Sequence, residues 1–565
     1  MIMRSLKAGL TTGVAVALAS VTAFAAVTDD VPADSVDVAK LKIVQKSPTR
    51  VFIDFGNEVA IRSLSWAGSA RPKVYLRWWT NDVDEDPHGG LDFGRYETKD
   101  GVTVFRFHTI PRQRRVLLDG ASVDAKSVKY DVVPYGFTMH LTDETWEQKL
   151  ERMRWWTEAR FGMFIHFGLY ALPARHEWLK SLARIPDTKY DEYFRNFNPS
   201  QFDAKKWAKA AKDAGMKYAV LTTRHHEGFS LFDTKFSDYK ITNTPFGRDL
   251  VREFVEAFRA EGLRVGFYYS LVDWHHPDYT VDRCHPLRIN DNPWAPVEDA
   301  DDYSEINAGK DMAKYRAFMK NQITELLSNY GKIDIIWYDF SFPEANGKTR
   351  DDWDSVGILK LTKKLQPEII IDNRLDLADY EDGWDFATPE QNREAKPVTV
   401  NGREVPWETC QTFSGSWGYA RDERSWKSVP QCLEQLIFTV ANGGNVIMNV
   451  GPDGRGNFDY RALDRLAGYG KWMQANGESI YGCTRAPAEF KAPANTILTW
   501  NPETRKLYMH VLFWQFGEMP IAFADKVAYA QLLNDKSELG LTRGRLRLPV
   551  EKPPVEIPVV EFTLR

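Results

Sequence analysis

From residue 143 to about 485 the apolar positions alternate between two patterns. Short, nearly continuous apolar runs at 161–166, 218–223, 264–270, 332–339, 368–374, 408–413 and 445–450 read as buried strands, and 385–390 as a weaker one. Between several of these runs lie segments whose apolar residues recur every three or four positions, as on a helix with one buried face. In 203–214 that face carries Trp207, Ala210, Ala211 and Ala214 and stops at Gly215. After Asp249, a cap by position, the face is Leu250, Val251, Phe254, Val255 and Phe258. Residues 312–330 form a third such helix. Eight strands alternating with helices predict an α/β fold, a (β/α)8 TIM-like barrel over 143–485, with an open doubly wound sheet as the alternative.

The flanks follow another period. Residues 38–142 show short β-like runs punctuated by Gly56-Asn57, Gly89-Gly90 and Asp119-Gly120, and 486–565 return to the same style. Each flank predicts an all-β sandwich domain. In the first, Trp78, Trp79 and the acidic residues 82–86 form either a sugar-binding face or a prop for the barrel. The first 25 residues have the grammar of a signal peptide. Arg4 and Lys7 precede an apolar stretch, and Ala23-Phe24-Ala25 fits a cleavage site before Ala26. The expected product is exported, periplasmic or extracellular, with no stable membrane insertion after cleavage.

Composition narrows the function. The 73 basic and 78 acidic residues are mixed along the chain, so no basic stripe points to nucleic acid. The 19 Trp exceed what a core of this size requires, and Trp faces stack well on sugars, although most should pack internally. Cys284, Cys410, Cys432 and Cys483 lack C-x-x-C spacing, which leaves at most one disulfide and no zinc site. No G-x-G-x-x-G or Walker sequence follows any strand, so no nucleotide cofactor is expected.

Polar residues gather where the predicted strands end: His166, Arg224-His225-His226-Glu227, Tyr269, Asp339, Arg374, Glu390 and Glu408. In a barrel, strand ends converge on one face. The run 332–339 is the most telling, because an apolar strand stops abruptly at Asp339 between aromatics; the bland alternative is a helix N-cap. Adjacent histidines on a strand point to opposite sides, and H-E-x-x-H is absent, so no metal is expected. Two carboxylates on different strands suit glycoside hydrolysis, one attacking the anomeric carbon and the other protonating the departing oxygen. Asp339 has the position of the nucleophile, and spacing leaves Glu390 and Glu408 both open as the acid.

The middle of the chain also resembles a known family. Phe161-Gly162-Met163-Phe164-Ile165-His166-Phe167-Gly168, Glu177-Trp178, Arg224-His225-His226-Glu227-Gly228-Phe229, Tyr268-Tyr269-Ser270, Trp337-Tyr338-Asp339, Thr388-Pro389-Glu390 and Ser416-Trp417-Gly418-Tyr419 occur in the order found in the α-L-fucosidases of glycoside hydrolase family 29. The resemblance covers about residues 150–485. It implies a retaining mechanism that releases terminal α-L-fucose from oligosaccharides or glycoconjugates, so the expected partner is a fucosylated glycan.

The same resemblance puts Asp339 at the nucleophile's place and Glu390 best at the acid/base's, with Glu408 as runner-up. His166, Glu177, Trp178, His225, His226, Tyr269 and Arg374 match positions that grip sugar hydroxyls, and Trp337 lines the pocket. Phe229, Trp337 and Phe340 are candidates for an apolar wall against the sugar's methyl group. Glu227, Arg224 and Leu179 depart from the family's usual Asp, Lys and Tyr. The alternatives are an α-L-galactosidase-type hydrolase on the same barrel and a non-catalytic sugar-binding protein.

Overall fold

The computed structural model describes residues 36, 40–76, 94–107, 112–133, 140–290, 303–342, 347–378, 380–392, 396–400 and 403–565. The leader and the Trp78, Trp79 and 82–86 segment lie outside them. At the centre stands a parallel sheet whose strands neighbour one another in the order Ile370–Ile371, Ile335–Asp339, Arg264–Ser270, Tyr218–Arg224, Phe161–Ile165, Asn445–Val450 and Glu408–Thr412. Parallel single bridges Asp372 to Phe386, Ala387 to Trp407 and Glu390 to Cys410 then join the two ends through residues 385–390. The sheet closes on itself as an eight-segment barrel. Strands buried on both faces explain the unbroken apolar runs.

Two of the predicted strands are much shorter than their runs. The fifth keeps only Ile370–Ile371. Beyond it, Asp372 uses its side chain for the ladder, its Oδ1 accepting from Tyr338 N–H at 3.1 Å. The sixth has only bridges, since Pro389 lacks an N–H to give. Helices Ala204–Asp213, Leu250–Ala260, Met312–Asn329, Ser355–Leu365, Val429–Ala441 and Tyr460–Asn476 pack outside, and among the described residues none follows the fifth or sixth strand.

The helix Trp146–Ala159 plugs the barrel's floor. Thr145 caps it with a reciprocal box to Gln148. Met153 and Trp156 join Phe164, Tyr218, Val220, Tyr268, Ile335, Trp337, Phe386 and Ile447 in one interior cluster. On the thin side, Arg152 pairs with Glu144 at 2.6 Å and Asp385 at 2.6 Å, and donates to Ile369 O at 3.0 Å. Lys363 reaches the same Asp385 at 3.2 Å. Burial alone would raise the Asp385 pKa, but the Lys363 and Arg152 charges hold it far below the usual range.

The N-terminal domain is a seven-stranded antiparallel sheet built on the long strand Arg50–Ala67. Its first half pairs with Lys42–Ser47 and Arg112–Asp119, and its second with Val102–Phe107 and Lys129–Val133. Both halves feed one apolar cluster that includes Val51, Ile53, Ile61, Leu64 and Trp66. After the barrel, a five-stranded and a three-stranded antiparallel sheet enclose a further core with Leu507, Met509, Leu546 and Phe562. This second β domain opens at Thr484–Arg485. The four cysteines are buried and free, so the allowance for one disulfide is corrected. Among the described residues no helix is long and apolar enough to cross a membrane.

Replacing Arg152 by Met strands buried acid at the thin side of the barrel, because its side chain is only 7% exposed. Loss of one partner from a buried pair costs about 3 kcal/mol. Urea unfolding of the variant should register that loss; a change below about 1 kcal/mol would mean this link does not hold the closure.

Candidate active site

The mouth of the barrel is organised by one cation. Arg374, just past the fifth strand, sets Nη1 2.7 Å from Asp339 Oδ1 and Nη2 3.6 Å from Glu390 Oε2. Thr388 fixes its orientation, accepting from Nε at 2.9 Å through Oγ1. Asp339 Oδ2 accepts from Tyr268 Oη at 2.6 Å, with His226 Nε2 3.8 Å away. No helix begins at Asp339, so the N-cap alternative fails. The next residue, Phe340, has φ +86°, a left-handed conformation that bulky side chains rarely adopt and that clusters at functional sites.

The two carboxyls are pushed apart in acidity. For Asp339, burial would raise the pKa, but Arg374's charge, His226 and the Tyr268 hydrogen bond together bring it below the ordinary value. For Glu390, burial wins over Arg374, and the neighbouring Asp339 charge adds to it, so its pKa is raised. One carboxyl is held ionised and the other is helped to keep its proton.

Glu408, the second acid candidate, lies at the other end of the barrel. It opens its strand rather than ending it, and its partner Asn445 opens the eighth. Wholly buried, it accepts from Tyr218 Oη and, at 3.3 Å, from Trp337 Nε1. Burial lifts its pKa to about 7. In a parallel barrel the N-terminal ends of the strands form the floor, so Glu408 is not at the mouth.

Around Asp339 the histidines are neutral. Asn449 Nδ2 donates to Trp417 O at 2.6 Å, so its Oδ1 must accept from His166 Nδ1 at 2.6 Å. Ser270 Oγ donates to Val272 O, and so accepts from His226 Nδ1 at 2.7 Å. Burial depresses both pKa values to about 4, which leaves each Nε2 as an acceptor. His225 is buried with them, its ring centroid 4.0 Å from that of His226. The opposed placement expected of these neighbours is thus corrected: the strand ends at Arg224, and both histidines lie in the turn beyond it. Among the described residues no group of three or more His, Cys, Asp or Glu is placed to hold a metal.

Glu177 is buried, with Oε2 accepting from Gly418 N–H at 2.9 Å and Ser416 Oγ at 3.2 Å. Its Oε1 faces His176 Nδ1 at 3.4 Å. Trp178 packs edge-on against His226 and Trp274 and meets Phe340. Trp337 is a floor residue, under the Arg374 guanidinium at 5.1 Å and beside Phe164 at 5.1 Å between centroids. Phe164, Tyr268, Trp337 and Trp417 together make an aromatic cup beneath Asp339.

Three expectations need correction here. Tyr269 faces outward, where its hydroxyl donates to Gln322 Oε1 at 2.9 Å on the helix Met312–Asn329. The interior tyrosine is Tyr268, two residues before Ser270, which pairs with Asp339; counting parity from Asp339 finds it. Phe229 packs against Phe194, Phe197 and Tyr239, away from the cup. Arg224 also turns outward to Asp273, because a register shift between Tyr268 and Tyr269 re-aims the end of its strand.

The chain has well-matched relatives. A family model described as Alpha-L-fucosidase matches residues 138–478. Among solved structures, α-L-fucosidase isoenzyme 1 from Paenibacillus thiaminolyticus is 42% identical, covers 74% of this chain and 99% of its own, and superposes with a TM-score of 0.67. A Bacteroides thetaiotaomicron α-L-fucosidase, a mutant trapped as a covalent intermediate with 2-fluoro-fucosyl fluoride, is 28% identical over 76% of this chain and 99% of its own, with a TM-score of 0.63. Human plasma α-L-fucosidase is 28% identical over 60% of this chain and 72% of its own.

Arg374→Met tests the electrostatic arrangement. Without the guanidinium, only His226 and the Tyr268 hydrogen bond oppose burial at Asp339, and its pKa rises by about 1–3 units. The acid limb of the pH–rate profile should move to higher pH by that amount; an unmoved limb would break the assignment of Arg374 as the group that keeps Asp339 ionised.

Proposed function

This chain belongs to the α-L-fucosidase family and is a retaining α-L-fucosidase, and on that premise we propose that Asp339 is its nucleophile and Glu390 its general acid/base. The observation that carries the assignment is Arg374 reaching both carboxyls. Side chains that share a guanidinium are close neighbours. Double displacement needs carboxyls about 5–5.5 Å apart, whereas inversion leaves about 6.5–9.5 Å for a water.

In the first step an Asp339 oxygen bonds to the anomeric carbon as the bond to the departing oxygen breaks, and Glu390 gives that oxygen its proton. In the second, Glu390 takes a proton from water, whose oxygen bonds to the same carbon and releases Asp339. His166 and His226 present Nε2 lone pairs to sugar hydroxyls, and Glu177 and Trp178 line the same side. The aromatic cup of Phe164, Tyr268, Trp337 and Trp417 suits the methyl group of a 6-deoxy sugar. The substrate is a terminal α-L-fucose on an oligosaccharide or glycoconjugate. Residues 1–25 direct export to the periplasm or beyond, a reading that N-terminal sequencing of the exported protein tests by an expected start at Ala26.

Asp339→Gly should abolish turnover of an aryl α-L-fucoside and respond to azide with formation of a fucosyl azide. Glu390→Gln should lower the rate about 10²–10⁴-fold for a poorly departing alcohol and far less for a nitrophenolate. The wild-type profile should be bell-shaped, rising as Asp339 loses its proton and falling at higher pH as Glu390 loses its own. Full activity of either variant on a natural oligosaccharide would overturn its assignment.

A further inference from the structure

Glu408 is a buried carboxyl that neither chemical step uses, yet it bonds to a residue of the sugar-binding cup. It lies on the barrel floor with Tyr218 Oη on one oxygen and Trp337 Nε1 on the other, the latter at 3.3 Å. Nε1–H is the sole polar atom of the Trp337 side chain. Because Glu408 takes this hydrogen bond from below, the indole turns its N–H edge down and its carbon edge toward the mouth. Arg374 lies over one part of that ring at 5.1 Å, and Phe164 lies beside it at 5.1 Å between centroids.

We propose that Glu408 is a positioning residue for sugar selectivity: it holds the Trp337 N–H out of the aromatic cup, so that this ring offers only carbon to the group on C5 of the sugar. The argument rests on the fucosidase reading above. A methyl group on C5 fits the carbon edge of Trp337, whereas the hydroxymethyl of an α-L-galactoside would find no partner on that edge. Without Glu408 the indole N–H is a buried donor with no acceptor, a costly state. Turning over about its ring bond relieves it, and the N–H then faces the pocket and welcomes the extra hydroxyl.

The test compares kcat/KM for aryl α-L-fucoside and aryl α-L-galactoside in wild type, Glu408→Gln and Glu408→Met. Gln keeps a carbonyl oxygen for the indole and should hold the wild-type fucoside preference within about threefold. Met removes the acceptor at similar volume, and the preference should fall about tenfold, a part of the roughly 100-fold by which an apolar pocket rejects an added hydroxyl. A folded Met variant with an unchanged preference overturns the proposal, as does a Gln variant that loses it. If the Met variant does not fold, the Gln variant decides alone: a preference that departs from wild type by more than about threefold overturns the proposal. Wild type lacking fucoside turnover in the same assay would instead sink the underlying activity.

Discussion

A guanidinium buried beside two carboxyls governs the chemistry of this barrel. Arg374 touches Asp339 at 2.7 Å and Glu390 at 3.6 Å, and the two acids respond differently because the contacts differ. Asp339 has a close ion pair plus the Tyr268 hydroxyl, enough to outweigh its desolvation. Glu390 has only the longer contact, which is not enough. The same cation thus yields a base and an acid from two carboxyls in one cavity, and small changes in its placement would erase the distinction.

That placement depends on the least regular sector of the fold. Arg374 stands just beyond a strand of two residues, and Glu390 belongs to a segment joined to its neighbours by single bridges. Side chains take over what backbone ladders do elsewhere. Asp372 accepts from Tyr338 N–H, Asn373 Oδ1 accepts from Thr388 N–H at 3.1 Å, and Thr388 in turn holds Arg374. From below, the plug helix contributes Arg152 to Asp385, so the weak sector is tied to the floor by buried charge. Irregular backbone where two active groups must be aimed, supported by specific polar contacts, is the pattern expected of a preorganised site.

Much of this was legible in the sequence because burial on both faces leaves unbroken apolar runs. Asp339 stood out as the abrupt end of such a run, and the third and eighth strands match their runs residue for residue, at Arg264–Ser270 and Asn445–Val450. The choice between Tyr268 and Tyr269 was harder, since adjacent tyrosines are equivalent until a cross-strand register fixes which one faces inward. Glu408 carried a signal that went unread: it opens its run rather than closing it, which in a parallel barrel means the floor. His225 and His226 lie side by side because strand parity stops at the strand's last residue, Arg224. Arg374 meeting Glu390 had no local trace at all, because contacts across irregular segments depend on the closed barrel.

Desolvation also unifies the rest of the site. Burial keeps His166 and His226 neutral above about pH 4. Their Nδ1 protons are committed to Asn449 and Ser270, which leaves acceptors facing the cavity. A neutral sugar would therefore meet neutral imidazole acceptors and an aromatic floor, with charge carried by Arg374, Asp339 and Glu177. A pocket that held cationic histidines instead would draw Asp339 into further ion pairs. Burying the imidazoles avoids that competition, and so the depth of the barrel mouth is itself part of the catalytic arrangement.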